Sequence, residues 1–313
     1  MASYLVTGGG GFIGSNIVRE LLDRGEAVRV LDNFSTGKRE NIADILDKID
    51  LLEGDIRDAD TCRRAVEGMD YVLHQAAVPS VPRSVANPIE SLEVGILGTA
   101  HVLMAARDAK VRRVVYAASS SAYGDQEARH KVESLLPCPL SPYAEAKLAG
   151  EHLCSVFHTC YGLETVSLRY FNVFGPAQDP TSQYGAVIPL FVTAVLEGRQ
   201  PIFHGDGHQT RDFTYVANNV DAVLKAATCN HPLAGTVLNI ACGGSYSLHD
   251  LLKAINEAAG TNITPQYGPA RVGDVRHSLA DITASEQQIG YKVIVPFAEG
   301  IRKTVEWYKQ RKG

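Results

Sequence analysis

The chain has 313 residues, 45% hydrophobic and 21% charged, which excludes fibrous and disordered classes and leaves room for one large α/β domain or a nucleotide-binding domain with a smaller companion. Its formal net charge of -5 offers no global attraction to nucleic acid or to an anionic membrane, so neither is expected as a partner. Six cysteines form no C-x-x-C pair and no zinc-ligand spacing with histidine, so buried free thiols and no metal are expected.

The chain opens on Tyr4-Leu5-Val6-Thr7 and glycines, without the charged start and apolar run of an export signal, and a cytoplasmic location is expected. No segment approaches the roughly 20 apolar residues of a bilayer span. Short runs rich in Val, Leu and Tyr predict strands over residues 4–7, 27–31, 51–53, 71–74, 114–118 and 165–168. Amphipathic stretches between them predict helices over 13–24, 61–66, 89–109 and 143–161. This alternation belongs to a doubly wound parallel sheet with helices on both faces.

The first strand runs into Thr7-Gly8-Gly9-Gly10-Gly11-Phe12-Ile13-Gly14, a G-x-x-G-x-x-G that opens a helix and makes the sheet Rossmann-type. Gly8 permits the tight turn, Gly11 lets backbone approach a pyrophosphate, and Gly14 lets helix and strand pack closely. Phe12 and Ile13 start the helix whose N-terminus faces the phosphates. The second strand ends at Asp32, whose carboxylate can accept both ribose hydroxyls and repels a 2′-phosphate, so NAD is expected rather than NADP. Asn33, Ser35 and Gly37 follow on the same cofactor loop. Asp55-Ile56 after the third strand suits the adenine edge, and Gln75-Ala76-Ala77 after the fourth admits the cofactor; a plain structural turn competes for both.

After Asn172 the rhythm changes to Gly/Pro-rich connections around Gly175-Pro176, Gly205-Asp206-Gly207 and Gly243-Gly244, which predicts a second, smaller α/β region. Strands are expected over 211–216 and 237–240, returning the chain to the first sheet. The expected division is residues 1–170 for dinucleotide binding, joined by 211–242, and residues 171–210 with 243–313 for substrate.

Tyr143 and Lys147 stand four apart at the start of a helix, so their side chains share a face. A free phenol, with a pKa of about 10, is a poor base at neutral pH, but an adjacent ammonium and a positive nicotinamide ring both favour its phenolate. At the end of the fifth strand, Ala118-Ser119-Ser120-Ser121-Ala122-Tyr123-Gly124 supplies hydroxyls that can relay a proton. Together with the fingerprint and Y-x-x-x-K, these residues resemble the extended short-chain dehydrogenase/reductase family. Within it the likeness is to UDP-hexose 4-epimerases, most closely those acting on UDP-N-acetylglucosamine, and it covers nearly the whole chain.

The resemblance implies roles by position. Aligned on Tyr123-Gly124, the family's catalytic Ser/Thr falls on Ser119, beside Tyr143 and Lys147, with Ser120 and Ser121 in the sugar pocket. Arg169-Tyr170-Phe171-Asn172-Val173-Phe174-Gly175-Pro176 looks like the family segment whose asparagine, here Asn172, contacts the substrate diphosphate. Ala186 and Val187 fall in the uracil-side loop. Arg211 and Arg271 are implied at the diphosphate and Asp274 at the uridine ribose; a guanidinium fork suits phosphate oxygens and a carboxylate suits ribose hydroxyls. Ser278 stands where epimerases restricted to UDP-glucose and UDP-galactose carry a bulky tyrosine, which implies room for a 2-N-acetyl group. Ser84 is implied near the sugar. Gly95, in Gly95-Ile96-Leu97-Gly98-Thr99, replaces the usual asparagine of N-x-x-G-T, and is expected to loosen its helix by about 1 kcal/mol relative to alanine.

The expected function is NAD-dependent 4-epimerisation of a UDP-hexose through a 4-keto sugar. The pairs in view are UDP-N-acetylglucosamine/UDP-N-acetylgalactosamine and UDP-glucose/UDP-galactose. Sugar-nucleotide 4,6-dehydratases carry an Asp-Glu pair at the positions of Ser120 and Ser121, and UDP-glucuronate decarboxylases a glutamate at Ser121, which disfavours both. The rivals are another nucleotide-sugar epimerase, UDP-glucuronate included, a net oxidoreductase, and a non-catalytic NAD-binding sensor. A homodimer is expected, because the helices before Ala109 and from Tyr143 can pair with a second copy as a four-helix bundle, as in relatives.

Overall fold

The computed structural model describes residues 1–128, 130–179, 187–269 and 276–312. β1 (Ser3–Thr7) leads into α1 (Phe12–Asp23), β2 (Ala27–Asp32), β3 (Asp50–Glu53), α2 (Ala59–Val66) and β4 (Tyr71–His74). Next come α3 (Val81–Ala86) and a rod made of α4 (Pro88–Leu92), a π-helical turn (Glu93–Gly98) and α5 (Thr99–Asp108). β5 (Arg113–Ser119), α6 (Pro142–Tyr161) and β6 (Thr165–Tyr170) complete the first half. Local chemistry sets the ends of α6. Pro142 occupies the first turn, where its missing N–H costs nothing, the Ser141 hydroxyl accepts the Ala144 N–H at 3.1 Å, and Gly162 stops the helix in the left-handed region at φ 70.

The second half contributes β7 (Val173–Phe174), α7 (Val187–Leu196), β8 (Ile202–His204), β9 (Thr210–Arg211), β10 (Thr214–Tyr215), α8 (Val216–Thr228) and β11 (Val237–Ile240). β12 (Tyr246–Ser247), α9 (Leu248–Ala259), β13 (Gln266–Gly268), β14 (His277–Ser278), α10 (Thr283–Ile289) and α11 (Phe297–Lys312) follow. Seven strands form one parallel sheet in the order β11-β6-β5-β4-β1-β2-β3. Successive strand residues point to opposite faces. Val6, Val30, Leu73 and Val115 therefore pack with α1 and α8, while Leu5, Leu31, Val72 and Val114 pack with α2, α5 and α6. The direction of strand addition reverses between β1 and β4, which opens a crevice at the C-terminal edge of the sheet.

The expected strand over 211–216 is corrected: it divides into β9 and β10, and Val216 already opens α8. β9 pairs with β12 and β14, and β10 with β7, so only the strand over 237–240 rejoins the main sheet, as β11. The break falls at Asp212, whose fully buried carboxylate accepts N–H bonds from Cys242 at 3.0 Å, Gly243 at 3.0 Å and Ala280 at 3.3 Å. The apolar layer under α1 and α8 continues into the smaller region through Phe174, Phe203, Phe213 and Phe297, so the two regions share a core.

Two further expectations need amending. Cys62 and Cys154 are buried, but Cys138 and Cys160 are exposed. The rod Pro88–Asp108 is long enough to cross a bilayer, and apolar enough over an 18-residue window of mean hydropathy 1.3. It packs instead against α2 and α6, and its apolar residues serve that contact on one side.

Candidate active site

A cavity of about 910 Å³ occupies the crevice, at the C-terminal ends of β1, β2, β4, β5 and β6. At its cofactor end the fingerprint glycines are packed to the limit. Gly8 sits at φ 71, and a Cβ on Gly14 would lie 2.1 Å from the Gly8 carbonyl oxygen. Gly11 caps α1 without a side-chain bond, and no acidic residue stands in the first turn, so the helix offers its N–H groups to an anion.

Asp32 lies on the wall and accepts the Gly10 and Phe34 N–H groups, each at 2.8 Å. Burial raises its carboxyl, against the lowering effect of those bonds; its remaining lone pairs can still accept hydroxyls. Gln75 receives the Tyr170 hydroxyl on Oε1 at 3.1 Å, while its buried Nε2 has no partner among the described residues. A cradle that any Cβ would fill and an unpaired buried donor on the same wall both fit a dinucleotide. Phe12, Ile13, Asn33, Ser35, Gly37, Asp55, Ile56, Ala76 and Ala77 line the same cavity. Asn33 donates to Asp55 at 2.8 Å, and Arg57, which carried no sequence signal beyond a surface charge, pairs with Asp55 at 2.7 Å and holds its carboxyl down at about 2.

Tyr143 and Lys147 from α6 and Ser119 from β5 meet in the middle of the cavity. The Ser119 hydroxyl sits beside the Tyr143 phenol and receives the Ser121 hydroxyl at 2.9 Å. Burial raises the phenol, and the neighbouring Ser119 hydroxyl opposes it. Lys147 is 5% exposed; its Nζ donates to the Ala117 carbonyl at 2.6 Å and lies 5.1 Å from the Tyr116 ring centroid. Burial pushes its ammonium down to about 8, and Glu151 opposes.

His74, buried beneath this turn, is held between Thr7 at 2.6 Å and Thr99 at 3.1 Å, and burial, with the Lys147 charge second, drives it down to about 3. It is therefore neutral. The Thr99 hydroxyl donates to the Gly95 carbonyl at 2.7 Å, so His74 carries its proton on Nε2 and accepts from Thr7 on Nδ1. Gly95 lies in the π-helical turn, where a Cβ would meet the Ala146 Cβ at 2.7 Å. It brings the turn into close approach with α6 beside Lys147, a packing demand that stands next to the loosening expected from propensity.

Ser84, expected near the sugar, sits behind the first turn of α6. It is fully buried and does not line the cavity; its Oγ accepts the Tyr143 N–H at 3.1 Å and donates to the Val81 carbonyl at 2.7 Å. It thereby seats the first turn of α6. Ser120, Ser121, Asn172, Arg211 and Ser278 do line the far end of the cavity. Asn172, at φ 37, donates to the Asp212 carbonyl at 3.0 Å, and β14 registers Ser278 directly against Arg211 of β9. Val187 opens α7 half-buried and is not among the lining residues. Ala186, Arg271 and Asp274 lie outside the described residues. Lys131, which the sequence did not single out because it sits in turn-rich chain, is also buried in the cavity wall and donates to the Gln126 carbonyl.

Comparison with known proteins gives the family. The sequence profile of the NAD dependent epimerase/dehydratase family matches residues 4–241. The UDP-glucose 4-epimerase of Mycolicibacterium smegmatis is 38% identical over 311 residues, 98% of each chain. A solved UDP-N-acetylglucosamine 4-epimerase from Methanobrevibacter ruminantium, in complex with UDP-N-acetylmuramic acid, is 38% identical, superposes with a TM-score of 0.94 and covers 99% of both chains. The UDP-glucose 4-epimerase of Thermus thermophilus, in complex with NAD, is 38% identical with a TM-score of 0.88, over 98% of this chain and 99% of that one. The chain belongs to the NAD dependent epimerase/dehydratase family.

Proposed function

We propose that the protein is an NAD-dependent 4-epimerase of UDP-hexoses, interconverting UDP-N-acetylglucosamine with UDP-N-acetylgalactosamine, UDP-glucose with UDP-galactose, or both. The observation that carries this reading is the meeting of Tyr143, Lys147 and Ser119 in one cavity, between the glycine cradle and Arg211. Bound NAD supplies a positive ring that favours the Tyr143 phenolate and the carbon that takes up and returns a hydride. Tyr143 removes the proton of the sugar 4-hydroxyl, with the Ser119 hydroxyl bridging, and gives it back at the end of the cycle. Left to burial alone the phenol stays protonated, so its basicity depends on the charge assembled beside it, that of Lys147 included. Asn172 and Arg211 grip the diphosphate, with Arg271 in the same role and Asp274 at the ribose by resemblance. The small side chains of Ser120, Ser121 and Ser278 leave the hexose room to turn, so either face of C4 can be presented.

The test is incubation with each UDP-sugar in turn, without added NAD, and chromatography of the products. Appearance of the 4-epimer with no build-up of NADH is expected; stoichiometric NADH would mean a net dehydrogenase. A second reading, a UDP-uronate as substrate, is favoured by the buried ammonium of Lys131 in the cavity wall, and UDP-glucuronate belongs in the same panel. Ile89, Leu97 and Met104 on the rod and Val156 and Tyr161 on α6 are exposed apolar residues, which supports a homodimer joined through these two helices. A monomeric mass in solution at micromolar concentration would reject it. A cytoplasmic location is part of the same proposal.

A further inference from the structure

Behind the reacting pair, α6 carries a third ionisable residue on the same face. Glu151 lies one helical turn beyond Lys147, is 2% exposed, and holds Arg169 of β6 in a two-point grip, Nε to Oε1 at 2.9 Å and Nη2 to Oε2 at 2.7 Å. Arg169 is itself 3% exposed, with its guanidinium 4.5 Å from the Tyr123 ring centroid. The Tyr123 hydroxyl donates to Asn239 Oδ1 at 2.7 Å, while Arg169 Nη1 has no partner among the described residues. Three charges, those of Lys147, Glu151 and Arg169, thus stand in series away from water. A dry ion pair adds little stability over an apolar pair of the same volume, so its place behind the reacting ammonium calls for another explanation.

A glutamate and a lysine four apart on a helix ordinarily pair with each other. Here they do not: Arg169 takes both Glu151 oxygens, and Lys147 turns to the Ala117 carbonyl. The groups facing Lys147 are that carbonyl and the Tyr116 ring from β5, neutral His74 from β4, and Glu151, with Tyr143 one turn back on the same helix face. Among them Glu151 is the anion. Resting on the reading of Tyr143 and Lys147 as the reacting pair, we propose that Glu151 and Arg169 are positioning residues: Glu151 keeps Lys147 an ammonium, and Arg169 stops Glu151 from drawing that ammonium out of the site. The direction of the Lys147 titration, lowered by burial and raised by Glu151, agrees.

The experiment is the pH profile of kcat for the holoenzyme on the UDP-sugar it turns over, in three variants. Glu151→Gln removes the anion and orphans Arg169, and its alkaline limb moves acidward by about one pH unit, with KM changed less than about two-fold. Arg169→Met frees Glu151 to capture Lys147; its limb moves alkaline, and kcat at neutral pH falls by about ten-fold or more. The double variant leaves no orphan charge, so it keeps the fold if a single variant does not, and its limb still lies acidward of the parent. A limb that superimposes on the parent, in folded Glu151→Gln or in the double variant, overturns the proposal. An NMR titration of Lys147 in protein carrying isotope-labelled lysine reads the same shift without turnover. An inactive parent therefore counts against the proposed function alone, and an unmoved Lys147 against this inference alone.

Discussion

One methyl group added at Gly95 sets two physical rules against each other. Helix propensity favours alanine over glycine by about 1 kcal/mol. Packing opposes it: the new Cβ would lie 2.7 Å from the Ala146 Cβ, and carbon–carbon contacts need roughly 3.5–4.0 Å, so about 1 Å must be found between the rod and α6. Overpacking of this kind costs about 1–3 kcal/mol, which leaves a net loss of about 0–2 kcal/mol after the propensity gain. Thermal midpoint should then fall by only a few degrees, about 2–4 °C per kcal/mol for a chain of this size class. Activity should suffer more, because Ala146 adjoins Lys147 and follows Tyr143 by three residues, and misplacing reacting groups by about 1 Å costs on the order of 100-fold in rate. The assay pairs thermal unfolding with kcat for Gly95→Ala, and adds Gly95→Ala/Ala146→Gly, which returns the missing space and should recover both. A single variant that melts higher and turns over at the parental rate would refute the close-approach argument in favour of simple propensity.

Asp212 offers a pH test. Burial raises its carboxyl to about 6, from about 3.9 for a free aspartate, so the group stabilises the fold fully below the unfolded value, and that contribution is lost as pH rises through about 6. The parent should therefore gain on Asp212→Asn by up to about 3 kcal/mol in denaturant unfolding as pH falls from about 6 to about 4; parallel pH curves would contradict this. Ser278→Tyr should lose turnover on the N-acetylated sugar while keeping it on UDP-glucose, and full activity on the former would remove the case for a 2-N-acetyl pocket. Gly14→Ala would set a Cβ 2.1 Å from the Gly8 oxygen, so purified protein should carry no bound NAD; a variant that retains stoichiometric cofactor would show that the cradle can yield.

The first half was legible because two periodicities alternate cleanly there and because Gly11 and Gly14 are demanded by contact with Gly8 a few residues away, and Gly8 by its own left-handed backbone. α6 was legible for the same reason, with Ser141, Pro142 and Gly162 marking its ends. The segment 211–216 misled because Asp212-Phe213-Thr214-Tyr215-Val216 alternates polar and apolar residues, from Asp212 to Tyr215, as a half-buried strand does. The N–H groups that hold Asp212 come from residues 242, 243 and 280, which no local window contains. The partner of Ser84 was equally out of view: the Tyr143 N–H lies 59 residues on. The π-helical turn left only Gly95 and Gly98 as traces, and isolated glycines in a helical stretch read as weakness until their neighbours across the helix interface are known.

The outermost strand of the main sheet, β11, comes from residues 237–240, long after the chain has left that sheet at Tyr170. During synthesis, a ribosome that has released the first 170 residues has delivered six of the seven strands, with β6 exposing a row of unpaired backbone groups and an apolar face. Such a nascent chain is sticky until β11 arrives. A fragment cut at that apparent boundary should need chaperone shelter, and splitting the gene there is the wrong way to obtain a free-standing nucleotide-binding half.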